Sequence, residues 1–194
     1  MTLTFATAPQ IRQRIEGGAP VDVLIAPPTL LDELARAGML TGVSTGERSE
    51  RVSLGRVGVG VAVRPGAPVP DVSSAEAVKR ALLAADSVVF NRASTGLHLE
   101  GVLKHLGIDA PVNAKSTRYP DGASVLEHLL RGSGREVGFG AITEINLLQG
   151  RGLVFVGPLP AALQNHTAYS AVAVRGAAAP TRAGFAAAGI EPLP

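Results

Sequence analysis

Apolar positions along this chain follow two alternating rhythms. Ile11 and Ile15 stand four apart, with Arg12, Gln13, Arg14 and Glu16 beside them, which is the spacing of one helical face. Gly17-Gly18 ends that pattern, and Val21-Asp22-Val23-Leu24-Ile25 reads as a short strand. Before the helix, residues 4–6 read as a strand and Thr7-Ala8-Pro9-Gln10 as the turn between the two. Thr7 and Gln10 have capping-box spacing, and Pro9 suits a first helical turn because its missing N–H costs nothing there.

The same alternation continues. Pro27-Pro28-Thr29 opens a helix with Leu30, Leu31, Leu34 and Ala35 on one face, and Gly38 closes it. Residues 41–55 are polar and predict irregular structure. Residues 57–63 read as a strand whose glycines predict close packing or a bend. A connection with three prolines, 64–71, leads to Ser73-Ser74-Ala75-Glu76, a capping box opening a helix to about Ala85. Val88-Val89-Phe90 is a strand. The turn 91–96 then feeds a helix carrying Leu97, Val102, Leu103 and Leu106, closed by Gly107. Residues 112–115 predict a short strand, and Asp121-Gly122 a helix with Val125, Leu126, Leu129 and Leu130. Residues 137–142 are a strand, with Thr143-Glu144 starting a further helix; 153–156 and 169–174 are the last strands, and one short helix over 181–189 fits the tail. Strands alternating with helices predict an α/β protein with open, parallel sheets flanked by helices.

Composition narrows the chemistry. Hydrophobic residues make up 46% of 194 positions but aromatics only 4%, so the core is built from small aliphatic side chains. There is no cysteine, which excludes disulfides, thiol catalysis and thiolate metal sites. The net charge of +2 comes from dispersed lysines and arginines, so no nucleic-acid partner is expected. No run approaches the ~20 apolar residues of a membrane helix, so no direct membrane insertion is expected. Read from Met1, the chain shows no export signal, which predicts a cytoplasmic location if it starts there.

His98 and His105 are seven apart on one predicted helix, too far for a shared metal, and packing roles are expected for them. Gly55-Arg-Val-Gly-Val-Gly60 lies inside a strand, so it does not meet the context of a phosphate-binding loop. Nothing calls for a metal or an organic cofactor. What recurs is a set of strand-to-helix turns rich in hydroxyls: Thr7 to Gln10, Asn91 to Gly96, Tyr119 to Gly122 and Ala141 to Thr143. Converging turns of this kind offer backbone N–H groups to a small anion, and Arg92 adds one cation able to grip a carboxylate or oxyanion.

The order of segments resembles the bacterial molybdate-type periplasmic solute-binding proteins. The resemblance rests on Ile15-Glu-Gly-Gly-Ala-Pro-Val-Asp22, on Gly58-Val-Gly-Val-Ala-Val-Arg-Pro-Gly-Ala-Pro68, on Ser94-Thr-Gly96 with its helix, and on Val154-Phe-Val-Gly-Pro-Leu-Pro160. It covers about Thr4 to Gly176. It implies a type II two-lobed fold with an interlobe cleft, lobe one being 1–63 plus 170–194 and lobe two 64–169. It also implies a small anionic ligand, an ABC transporter permease as partner and a periplasmic location. The ligand-binding residues it implies, together with those the turns suggest, are Thr7, Ala8, Pro9, Gln10, Arg92, Ser94, Thr95, Gly96, Gly122, Ala123, Ala141 and Thr143. Family members usually begin one strand and helix earlier. The expected consequence is an exposed sheet edge through which a homodimer forms.

A second expectation comes from bacterial aconitate isomerases, which the same superfamily resembles. Such a cofactor-independent isomerase of a small tricarboxylate needs cationic clamps, for which Arg92, Lys115 and Arg118 are candidates, and a base, for which Glu144 or His98 is a candidate. A sensing protein or a truncated binding protein is the third reading.

Overall fold

The computed structural model describes residues 4, 6, 8–40 and 51–173. The capping residue expected at Thr7, the irregular segment 41–50 and the tail helix at 181–189 lie outside the described residues. The chain divides into two compact units, one formed by residues 1–56 with 167–194 and the other by 57–166.

In the first unit, helix α1 (Ala8–Glu16) leads to strand β1 (Val23–Ala26) and helix α2 (Pro28–Arg36). Pro28 begins α2 where a missing N–H is harmless, and Gly38 ends it with a φ of 69°, a left-handed geometry that favours glycine. The predicted face is the buried one. Leu30, Leu31 and Leu34 pack with Leu24, Ala26, Leu40 and Val172 into one cluster. Val172 arrives on the last described strand, His166–Ala173, which pairs antiparallel with β1 so that Leu24 faces it. Arg12–Glu33 and Arg51–Asp32 ion pairs decorate the exposed side and contribute little to stability.

The second unit follows the strand–helix alternation. Strand β2 (Val52–Val63) leads through helix α3 (Ala75–Ala84) to β3 (Ser87–Asn91), and α4 (Ser94–His105) through the single-turn α5 (Asp109–Asn113) to β4 (Ser116–Tyr119). Helix α6 (Gly122–Arg131), β5 (Glu136–Ala141), α7 (Ile142–Leu148) and β6 (Val154–Pro158) complete it, and the His166–Ala173 strand is β7. Strand β3 runs parallel to β4 and β5, with Asn91 beside Tyr119 and Val88 beside Val137. Strand β2 pairs antiparallel with both β5 and β6, so the sheet is mixed where parallel strands were expected. Alternation along β3 divides the core. Val88 and Phe90 join Leu82, Leu99, Leu103 and Phe139 on one face, whereas Val89 joins Leu126, Leu129 and Ile145 on the other. Helices therefore cover both faces, as the α/β reading required.

Three local expectations change. Strand β2 begins at Val52, inside the segment read as irregular; Val52 and Leu54 do alternate with Ser53 and Gly55, but they are only half-buried and Gly55-Arg56 interrupts the alternation, so the run is too short to read as a strand. The strand expected at 112–115 is instead α5 followed by β4. Val112 is buried from a helical turn, while β4 is a half-buried strand made of Ser116, Thr117, Arg118 and Tyr119. The cap of α3 is Ser74, not Ser73, accepting the Ala77 N–H at 3.2 Å.

The strand glycines pack closely, as expected. A methyl on Gly60 would stand 2.9 Å from both Ile145 Cδ1 and Phe155 Cε2. Gly60→Ala is therefore expected to cost about 1–3 kcal/mol in urea unfolding, the usual range for overpacking a core. An unchanged midpoint would show that the side chains yield freely.

Candidate functional site

Because β3, β4 and β5 run parallel, their carboxyl ends lie along one edge of the second unit's sheet, and each passes into a helix there. A helix start leaves backbone N–H groups without intrahelical partners. In α4 one of these is satisfied from an unexpected place. Asn91, the last residue of β3 and only 5% exposed, accepts the Ala93 N–H at 3.0 Å and the Gly96 N–H at 2.9 Å through Oδ1. This leaves the N–H groups of Ser94 and Thr95 in the first turn. Gly96 is buried so tightly that a methyl there would overlap Asn91's own carbonyl group. The Arg92 N–H donates to the Tyr119 carbonyl at 2.8 Å, tying the ends of β3 and β4 together, and the Arg92 side chain lies exposed in the turn.

Helix α6 repeats the arrangement. Asp121 caps it, Oδ1 accepting the Ser124 N–H at 2.8 Å, which leaves the N–H groups of Gly122 and Ala123. At α7 the cap residue is Ala141, and Glu144 occupies the third helical position, the capping-box place for an acid. Its carboxylate reaches back to the Ala141 N–H and lies against Gly122, where an added methyl would overlap Oε2. Although Glu144 is an exposed residue, partial desolvation of its carboxyl pushes it above the usual carboxylate range, the nearby Asp121 charge adds to this, and the Ala141 N–H offsets part of it.

The structure thus places Arg92, Ser94, Thr95, Gly96, Gly122, Ala123, Ala141 and Thr143 along one edge of one unit. Ala8, Pro9 and Gln10 belong to the other unit, at the start of α1, with Ala8 and Gln10 exposed. Several charged candidates are held elsewhere. Lys115 Nζ donates to the carbonyls of Leu83 at 2.7 Å and Ala85 at 2.5 Å, so it fastens α3 rather than a ligand. Arg118 is paired with Glu100 and stacks 4.7 Å above the Phe90 ring. His98 is a packing residue as expected, its Nε2 standing 2.8 Å from the Leu163 carbonyl oxygen. A surface cavity of about 360 Å³ is lined by Glu100, Lys104, Asp109, Asn113, Ser116 and Arg118 and contains none of the predicted ligand residues.

Sequence reading missed two functional placements. Asn91 was recognised as part of a turn but not as the residue that organises it, since it stands five positions from the N–H it accepts. Tyr119, His128 and Glu136 form a chain behind the site, with Tyr119 Oη 2.8 Å from His128 Nδ1 and His128 Nε2 2.9 Å from Glu136 Oε1. Among the described residues, no group of three or more histidine and acidic side chains is placed to hold a metal ion, and no helix is long and apolar enough to cross a membrane.

Comparison with known proteins agrees with this architecture. The chain is similar to an aconitate isomerase from Pseudomonas sp, 29% identical over 169 residues, covering 87% of this chain and 61% of that protein. It therefore spans about three fifths of that curated relative's length. Among solved structures it is similar to the periplasmic molybdate-binding protein of Azotobacter vinelandii, with 18% identity, coverage of 93% of this chain and 76% of the other, and a TM-score of 0.65. The tungstate-binding protein TupA of Desulfovibrio alaskensis G20 shares 16% identity over 96% of this chain and 76% of its own, with a TM-score of 0.56. At such identities these two likenesses bear on the fold, which is that of the periplasmic binding proteins. A family model for bacterial extracellular solute-binding proteins matches residues 1–187, and with an α/β fold whose helix-start donors gather at one sheet edge, the chain belongs to that family.

Proposed function

We propose that the protein binds a small anionic solute, an oxyanion or a carboxylate, as the substrate-binding component of an ABC-type transporter acting outside the bacterial cytoplasm. One observation carries this reading. The first turns of α4 and α6 present backbone donors at a shared sheet edge, next to the exposed Arg92. Helix-start donors and a guanidinium together recognise an anion. The proposed contacts in this unit are Arg92, Ser94, Thr95, Gly96, Gly122, Ala123, Ala141 and Thr143; for the other unit the sequence pattern proposes Thr7 to Gln10. The molybdate- and tungstate-binding neighbours support a tetrahedral oxyanion as one ligand class.

A thermal-shift screen with molybdate, tungstate, sulfate, phosphate, citrate and the two aconitates tests the reading. A ligand at about a hundred times its Kd adds roughly 2.7 kcal/mol, which moves the midpoint by several degrees at this chain length. Arg92→Ala is expected to weaken the responding ligand about tenfold, the loss of one charge-assisted contact. Equal affinity in that variant would remove Arg92 from the site, and silence across the whole panel would overturn the binder.

Glu144 and the isomerase relative favour a second reading, a cofactor-independent isomerase of a small tricarboxylate. A carboxylate of raised pKa among anion-binding donors has the character of a general base. Interconversion of cis- and trans-aconitate by the wild type, lost in Glu144→Gln, would establish it; no turnover would dismiss it.

A further inference from the structure

We infer that the Glu144 carboxylate fills the place of one ligand oxygen at the first turn of α6, so that the protein takes up a proton when an anion binds there. The inference rests on the anion-binding reading above and concerns the regulation of that same site. Its foundation is geometric. Gly122 and Ala123 hold the two N–H groups of α6 that Asp121 does not cap, and Glu144 Oε2 lies against Gly122. The same carboxylate faces the Ala141 N–H, so it spans two of the three turns that the ligand would use. An incoming anion meets a negative charge that already holds the Ala141 N–H and stands beside Gly122.

Among the described residues no ion pair joins a cation to that charge, and Arg92, at the same sheet edge, is not one of the groups acting on it. Asp121 faces it from the start of α6 and is itself acidic. Helix α7 carries no other ionisable side chain, β6 carries none, and the ionisable residue of β5, Glu136, lies at that strand's far end. The remaining ionisable residues of α6 are in its second half and already engaged. Glu127 pairs with Arg151, from the turn after α7, and with Arg131, while His128 pairs with Glu136. Protonation resolves the conflict. One proton from solvent goes to the Glu144 carboxylate, which changes from a repelling acceptor into a hydroxyl donor toward the anion. No bond of the ligand is made or broken, and one proton enters the complex for each anion bound.

Isothermal titration with sulfate and with trans-aconitate, which keep their charge between about pH 6 and about pH 8, tests this. Wild-type affinity is expected to fall as pH rises, by up to about tenfold per pH unit, the slope of one linked proton. The heat should also vary with the buffer's ionisation enthalpy, reporting uptake of a proton. Glu144→Gln keeps the side-chain shape and removes the charge. It is expected to bind about tenfold more tightly at the upper end of the range, with a flat pH profile. Glu144→Ala should show the same flat profile, and a cooperative melt confirms that each variant is folded. A flat wild-type profile with unchanged affinity in both variants would overturn the proton coupling and leave the binder standing. Failure of either anion to bind any of the three proteins would overturn the anion site itself, and this inference with it.

Discussion

Gly96→Ala is expected to cost about 4 kcal/mol and to lower the thermal midpoint by roughly 10 °C, with loss of anion binding. The reason is what the new methyl would meet. At Gly60 the obstacles are side-chain ends, which can shift; at Gly96 they are the carbonyl carbon and oxygen of Asn91. That backbone is held in the sheet, because Asn91 pairs with Tyr119 of β4 and the next N–H, that of Arg92, is bonded to the Tyr119 carbonyl. Helix α4 must therefore move away from the sheet, which breaks the Gly96 N–H bond to Asn91 Oδ1. The overlap contributes the usual few kcal/mol of overpacking, and a buried Asn91 amide left short of a partner contributes about 1–3 kcal/mol more. The same displacement carries Ser94 and Thr95 out of line with the turn at Gly122. Gly101→Ala on the same helix is the control. Nothing lies within 4 Å of a methyl there, so replacing glycine in the helix interior is expected to stabilise by about 0.5–1 kcal/mol. Chemical denaturation of the two variants side by side measures the difference. Matching midpoints would contradict the close approach of α4 to Asn91.

Much of this architecture was legible because it is written in short-range patterns. Leu30, Leu31 and Leu34 announced both the helix and its buried face, and Gly38 and Gly107 announced the left-handed residues that end helices. Asp121 stood immediately before its helix, so its capping role was visible in order along the chain. What stayed hidden depends on partners remote in sequence or on unusual offsets. No local pattern distinguishes a parallel from an antiparallel neighbour, so the pairing of β2 with β5 and β6 could not be read. Strand β4 lacks an apolar alternation because its side chains are only half buried, and α5 took the apolar Val112 that seemed to mark a strand. The site shows the same division. The three turns of the second unit were found from hydroxyls, glycines and caps, but not Asn91's reach over five residues. Glu144 was noticed as an acid; that its carboxylate crosses to the neighbouring turn at Gly122 is a consequence of α6 and α7 packing together.

His128→Ala carries the second large effect, an expected loss of about 3 kcal/mol of stability. Glu136 opens β5 from a position only 8% exposed, and one of its oxygens, Oε2, is buried without a hydrogen-bond partner. His128 is the partner of the other oxygen. A carboxylate only accepts, so Nε2 carries the hydrogen, and in the neutral ring Nδ1 is left to accept from the Tyr119 hydroxyl. Removing the imidazole leaves a carboxylate stranded in the interior. Breaking a fully buried pair costs about 3–5 kcal/mol, and the lower end applies because the His128 side chain is 24% exposed and water can reach part of the gap. If stranding is the cause, removing the second charge must relieve it. The double variant His128→Leu with Glu136→Leu is expected to regain most of the loss, with apolar groups replacing both partners beside Leu129 and Val137. Simple loss of packing predicts instead that His128→Leu alone, with Glu136 left in place, recovers as much as the double variant. The chain also connects stability to binding, since Tyr119 ends β4 two residues before the Asp121 cap. Freed from His128, Tyr119 no longer holds that turn from behind. The single variant should therefore bind its anion more weakly even at temperatures where it is fully folded, and calorimetry well below the melting transition separates that effect from unfolding.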